Sequence, residues 1–242
     1  MLIDLGYPDR AVAQSQAILD QARQLKDPFS VTQGLIAVAQ VSRYCLPPTT
    51  AYECAQALLA HGQQLGQSHW EELGNMFTLW ALARLGEITD CLAQLEAVQT
   101  TYWKNGVRQS YSLVLNVLAD VCYYTGDIEA GLAFLQASET FIHETGERVS
   151  EPGLHWHRGK LLQLQGHADQ AESCFVRALT LGQQRGAKGI ELRVATLLGR
   201  LWQDQGEREK ARDLLLPIYN RFTEGFGTIE LQEAKALLDQ LV

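Results

Sequence analysis

A period of 40 residues organises the chain. Positions 40 apart read Gly6, Leu46, Gly86, Gly126, Gly166 and Gly206, and five residues after each stands a small side chain: Ala11, Ala51, Cys91, Gly131, Ala171 and Ala211. A second glycine series falls at Gly66, Gly106, Gly146 and Gly186, interrupted at the same phase by Lys26 and Phe226. Two breaks per period divide each unit into two segments of roughly 17 residues, the length of ordinary globular helices. Counted back from the first glycine series, positions −11, −8, −7 and −4 make an i, i+3, i+4, i+7 stripe. It reads Leu35, Val38, Ala39, Ser42 in one unit, Leu115, Leu118, Ala119, Cys122 in another, and Ala195, Leu198, Gly199, Trp202 in the last.

Position −7 is small in Ala39, Ala119, Gly159 and Gly199, with Leu79 as the exception, so the paired helix can approach closely there. Positions +9 and +12 supply the apolar face of the second helix through Leu95 and Val98, Phe175 and Ala178, Leu215 and Ile218. No segment alternates with period two over strand length, so the expected fold is all-α. Pro8, Pro28, Pro47 and Pro48 sit at expected first turns, where a missing N–H costs little. Pro217 lies inside the last expected pair and predicts a kink there.

Hairpins that bury a face only against their neighbours form an α-solenoid. The small-residue pattern resembles the tetratricopeptide repeat, with each unit about six residues longer than the usual 34. That resemblance implies a right-handed solenoid in one domain: a partial repeat at 1–26, repeats at 27–66, 67–106, 107–146, 147–186 and 187–226, and a capping helix at 227–242. Thr228 is the expected cap of that last helix, with Leu231, Ala234, Leu238 and Leu241 on one face. Met1–Leu5 reads as the tail of a first-type helix, leaving an uncapped edge that leads us to expect a piece of a larger protein.

A narrower resemblance spans the whole chain and is most specific from about residue 145 onward. Thr145-Gly-Glu-Arg148, Gly186-Ala-Lys-Gly-Ile-Glu-Leu-Arg-Val-Ala-Thr196, Leu201-Trp-Gln-Asp-Gln-Gly206, Ala211-Arg-Asp-Leu-Leu-Leu216, Ile218-Tyr-Asn-Arg-Phe-Thr-Glu-Gly-Phe226 and Glu233-Ala-Lys-Ala-Leu-Leu238 closely resemble the C-terminal tetratricopeptide region of large bacterial signalling ATPases. Those proteins join a STAND-type ATPase module to a class III adenylate/guanylate cyclase or a DNA-binding domain. Asn220-Arg221 and Gly227 depart from the family's more usual Gly-Trp and Asp. The resemblance implies a sensor or scaffold arm whose contacts regulate catalytic domains outside these residues.

Charge and motifs exclude other classes. The chain of 242 residues carries a net charge of −8, shared equally between its halves, which disfavours a phosphate-backbone binder. No apolar run approaches the roughly 18 residues of a membrane helix, and the N-terminus is no signal peptide, so the expected setting is cytoplasmic. Phosphate-binding P-loop, His-Glu-x-x-His and Gly-x-Ser-x-Gly motifs are missing, and Gly225-Phe-Gly227 lacks the third glycine of a dinucleotide loop. His155 and His157 diverge by about 200° on a helix and cannot share a metal; His155 falls on the core stripe and is expected in the interior. The five cysteines (Cys45, Cys54, Cys91, Cys122, Cys174) form no Cys-x-x-Cys pair and are expected to be reduced thiols, Cys91 and Cys122 buried ones. We therefore expect no catalytic residues, no metal and no cofactor.

The stripe one residue round from the core lines the concave surface of tetratricopeptide domains, and the resemblance implies the same here. It presents Gln33, Gln40, Arg43 and Tyr44; Met76, Trp80 and Arg84; Asn116, Asp120, Tyr123 and Tyr124; Trp156, Lys160 and Gln163; Arg193, Arg200 and Gln203, beside Asp204. Interleaved arginines and aromatics suit a protein or peptide partner, and a basic stripe in an acidic chain suits an acidic segment, one from the parent protein included. The alternative is that Trp80 and Trp156 pack between neighbouring helices while local carboxylates pair the cations. Trp103 stands where the other units have Arg23, Gln63, His143, Gln183 and Thr223, which predicts an exposed aromatic at a contact surface. With Trp70 and the open first edge, it motivates a second expectation, a homo-oligomerisation scaffold.

Overall fold

A computed structural model describes residues 2–106, 108 and 110–242. All regular structure among them is helical: α1 (Pro8–Leu25), α2 (Pro28–Cys45), α3 (Pro48–Leu65), α4 (Ser68–Leu85), α5 (Leu92–Lys104), α6 (Tyr111–Thr125), α7 (Ile128–Thr145), α8 (Glu151–Leu164), α9 (Ala168–Gln184), α10 (Lys188–Asp204), α11 (Arg208–Tyr219) and α12 (Ile229–Gln240). No helix among the described residues is long and apolar enough to cross a membrane. The chain divides into two compact units. One joins Met1–Ala11 to Glu151–Val242; the other is Val12–Ser150.

The glycine series works by ending helices. Gly66 has φ +61°, its N–H reaches Gln63 O at 3.1 Å, and the N–H of Gln67 reaches Gly62 O at 3.1 Å. This paired closure satisfies two carbonyls at the helix end and needs a left-handed residue, which glycine adopts without steric cost. It recurs at Gly86, Gly166, Gly186 and Gly206. Two of the three non-glycine positions show other solutions. Lys26 takes the left-handed conformation itself, at φ +55°. Leu46 instead leaves the helix extended, at φ −117° and ψ 159°, because the ring of Pro47 bars the helical region to the residue before it.

Helix starts follow local chemistry too. Pro8, Pro28 and Pro48 are each the first residue of a helix. Ahead of α2, the Asp27 carboxylate accepts from the Ser30 N–H at 2.8 Å and the Ser30 hydroxyl at 2.6 Å, which holds its pKa below the ordinary value. Elsewhere the helices depart from the sequence expectation. Helix α5 begins one turn late, at Leu92, since β-branched Ile88 and Thr89 make a poor first turn. Pro217 does not kink a long helix: α11 stops two residues beyond it, at Tyr219. The Thr228 hydroxyl donates back to Gly225 O at 2.7 Å and so does not cap the N–H groups of α12. His155, expected inside, is half-buried, while His157 is the buried ring.

In the 12–150 unit α6 is packed by α4 and α7, and Leu115, Val117, Leu118, Ala119, Val121 and Cys122 are essentially inaccessible. Helices α3 and α4 approach closely. A Cβ on Gly74 would lie 2.5 Å from the Leu59 backbone, and one on Gly62 would lie 2.6 Å from the Glu71 nitrogen. In the other unit, Phe175, Leu192, Leu198, Leu215 and Leu237 form the core shared by α9 to α12. Gly159 on α8 leaves room for the Phe175 ring, which a Cβ would meet at 2.5 Å. The N-terminal segment, expected as an open edge, is packed within this unit. Ile3 is buried, Asp4 O accepts from the Gly189 N–H at 2.9 Å, and Arg10 Nε donates to Glu224 Oε2 at 2.8 Å.

Candidate functional site

The inner stripe of the 12–150 unit is built by α2, α4 and α6, first helices of successive hairpins whose mutual contacts stack equivalent positions. Trp80 Nε1 donates to Asp120 Oδ2 at 2.8 Å. The same oxygen lies 3.5 Å from Arg43 Nη2, and both charged side chains are nearly inaccessible, at 4% and 6%. The Arg43 guanidinium is 4.9 Å from the Trp80 ring centre and 5.2 Å from that of Tyr44. Desolvating this pair is costly, and the indole N–H and the ring faces help offset it. The outcome is a polar layer that fixes three helices in register. It is not an open charged surface.

Above this layer the stripe reaches solvent. Arg84 Nη1 donates to the Tyr124 hydroxyl at 2.7 Å with its guanidinium 5.2 Å from the ring centre, and Tyr123 packs edge-on to Tyr124 at 5.1 Å. Tyr44, Arg84, Tyr123, Tyr124 and Gln40 are each half-buried, and Gln33 is exposed. Asn116 belongs to the interior: its amide donates to Ser150 O at 2.9 Å and accepts from the Ser138 hydroxyl at 2.9 Å. Met76 is likewise buried.

In the other unit the predicted residues Trp156 and Lys160 are buried on α8, and Gln163 is half-buried. Arg193 on α10 approaches the Trp156 ring at 5.8 Å, pairs with Asp4 at 3.5 Å and donates to Glu230. Arg200 is exposed and pairs with Glu233 at 3.4 Å. The closing helix α12 thus carries carboxylates, at 230 and 233, that meet both arginines of the α10 stripe. The sequence held a signal for them, since they precede the inward-facing Leu231 and Ala234 at helical spacing. A small cleft of about 230 Å³ remains there, lined by Arg200, Gln203, Asp204, Glu233 and Gln240 among others.

Thiol chemistry is subdued. Burial pushes the Cys122 thiol to about 12 and the Cys91 thiol to about 11, with Asp127 adding to each, so neither is a ready nucleophile. Among the described residues no group of three or more His, Cys, Asp or Glu side chains converges as a metal site would require. Trp103 is 45% exposed, with Arg108 stacked 3.5 Å from its ring centre.

Comparison with solved structures settles the architecture. The crystal structure of BtubC (BKLC) from P. vanneervenii superposes with a TM-score of 0.56 at 15% sequence identity, covering 97% of this chain and 89% of that one. The fold is an α-solenoid of tetratricopeptide type. A Podosopora anserina structure described as a kinesin light chain with nearly identical TPR-like repeats matches with a TM-score of 0.48 at 15% identity, covering 94% of this chain and 96% of that one. No family model matches the sequence, and no curated protein matches it.

Proposed function

We propose that the chain is a non-catalytic scaffold that binds a protein or peptide segment on the inner stripe of its 12–150 unit. The observation that carries this reading is the two-tier arrangement there: a buried Arg43–Asp120–Trp80 layer beneath a half-exposed surface of Tyr44, Arg84, Tyr123 and Tyr124. Rigid aromatics beside an arginine are the residue types that dominate binding hot spots, and a supporting layer keeps the ordering cost of binding low. The cation favours an acidic segment. Trp80, Arg43, Asn116 and Asp120 then act by positioning the surface and do not touch the partner.

The resemblance of the chain, most specific from about residue 145, to the arms of signalling ATPases supports a cytoplasmic ATPase or cyclase as the protein this scaffold regulates. The test is capture of proteins by the immobilised chain beside an Arg84→Ala/Tyr124→Ala variant of unchanged helicity. Loss of a captured protein with the variant supports the stripe; equal capture by both removes it.

A further inference from the structure

Away from the inner stripe, the 12–150 unit carries a trough between α5 and α7, the second helices of two successive hairpins. Its volume is about 620 Å³. Trp103, Tyr111 and Phe141 form its apolar walls, with ring centres 5.1 Å apart for Trp103 and Tyr111 and 5.3 Å for Tyr111 and Phe141. An exposed tryptophan at a repeat position that is otherwise polar, beside an open apolar trough, is surface that a soluble chain ordinarily covers. It calls for a covering surface of matching chemistry.

The charges on the rim answer that. Lys104 and Glu144 line opposite walls and occupy the same repeat position 40 residues apart, so they stand level across the trough. No ion pair among the described residues joins them. We propose that this trough is the interface between two copies of the chain, related by a two-fold axis running along it. Such an axis lays each α5 over the partner's α7 with the helices parallel, which brings Lys104 of one copy onto Glu144 of the other, twice. Thr100 meets the partner's Thr140 in the same way, and Trp103 of each copy is covered. A two-fold interface must be self-complementary, and opposite charges at equivalent repeat positions supply that property. The proposal is independent of the inner stripe.

Sedimentation equilibrium of the chain tests it. The expected result is a reversible dimer whose Kd rises at least ~10-fold on K104E and on E144K, because each creates like-charge contacts on both sides of the axis. Mixing the two single variants restores association as a heterodimer, and the double exchange K104E/E144K restores the homodimer. Trp103→Ala also weakens it. Helicity is unaffected in all of these, since every substituted side chain is exposed. A chain that stays monomeric at high concentration, whether or not the trough takes up some other apolar molecule, overturns the proposal. So does a dimer indifferent to the single exchanges, or a mixture of them that fails to associate.

Discussion

Trp80 and Asp120, one repeat apart, are joined by a 2.8 Å hydrogen bond from the indole nitrogen to the carboxylate, and that carboxylate also faces Arg43 from the repeat before Trp80's. One acidic side chain therefore ties three successive first helices together. Removing it leaves a buried guanidinium without its carboxylate. Asp120→Ala should destabilise the chain by about 3–5 kcal/mol, whereas Trp80→Phe, which removes one hydrogen bond to a charged acceptor, should cost about 1.5–3 kcal/mol. Urea denaturation of both variants checks the order as well as the size.

The α3–α4 contact predicts an inverted glycine effect. In an exposed helix Gly→Ala gains about 1 kcal/mol, but a methyl group on Gly74 would overlap the Leu59 backbone, so Gly74→Ala should cost about 1–3 kcal/mol or more. Gly62→Ala should behave alike. Chemical denaturation with an unchanged m-value is the expected readout.

Lys26 offers the opposite case. It holds a left-handed backbone that glycine fills at four of its repeat equivalents, Gly66, Gly106, Gly146 and Gly186, so Lys26→Gly should stabilise the chain by roughly 0.5–1 kcal/mol. Thermal denaturation measures it, with Gly66→Ala as the destabilising counterpart.

Local features were legible in the sequence, and distances between helices were not. The helix ends at Gly66 and Gly206 and the buried stripe of Leu115, Leu118, Ala119 and Cys122 follow from caps and period alone. The burial of Arg43, Trp80 and Asp120 depends on how closely α2, α4 and α6 approach, which a helical wheel does not contain. It shows a stripe one residue off the core and is silent on whether neighbouring helices cover it. His155, expected inside, is half-buried for the same reason. The extended Leu46 was readable in principle, since it follows from Pro47 acting on the residue before it.

Asp27 carries a pH dependence with a definite sign. Its folded pKa lies below the ordinary 3.8, held down chiefly by the Ser30 hydroxyl and then by the Ser30 N–H. The stabilisation is complete above that ordinary value and is lost as pH falls through the lower folded one. Amide exchange at Ser30 should therefore accelerate relative to the middle of α2 only below about pH 4. Asp27→Asn should flatten the dependence.

Thiol labelling should follow burial. Cys54 and Cys174 are partly exposed, whereas Cys45, Cys91 and Cys122 are buried, and the pKa values of about 11 and 12 at Cys91 and Cys122 leave little thiolate at neutral pH. Iodoacetamide at pH 8 followed by peptide mass spectrometry should modify Cys54 and Cys174 first, and Cys122 only on unfolding.

A partner on the inner stripe of the 12–150 unit would leave a footprint in hydrogen–deuterium exchange of the chain alone and with a captured protein. The expected result is added protection in the segments around 40–46, 80–86 and 120–126, one repeat apart, with α5 and α7 unchanged by the partner. Protection confined to 99–104 and 133–144, or none in the three inner segments, would contradict it.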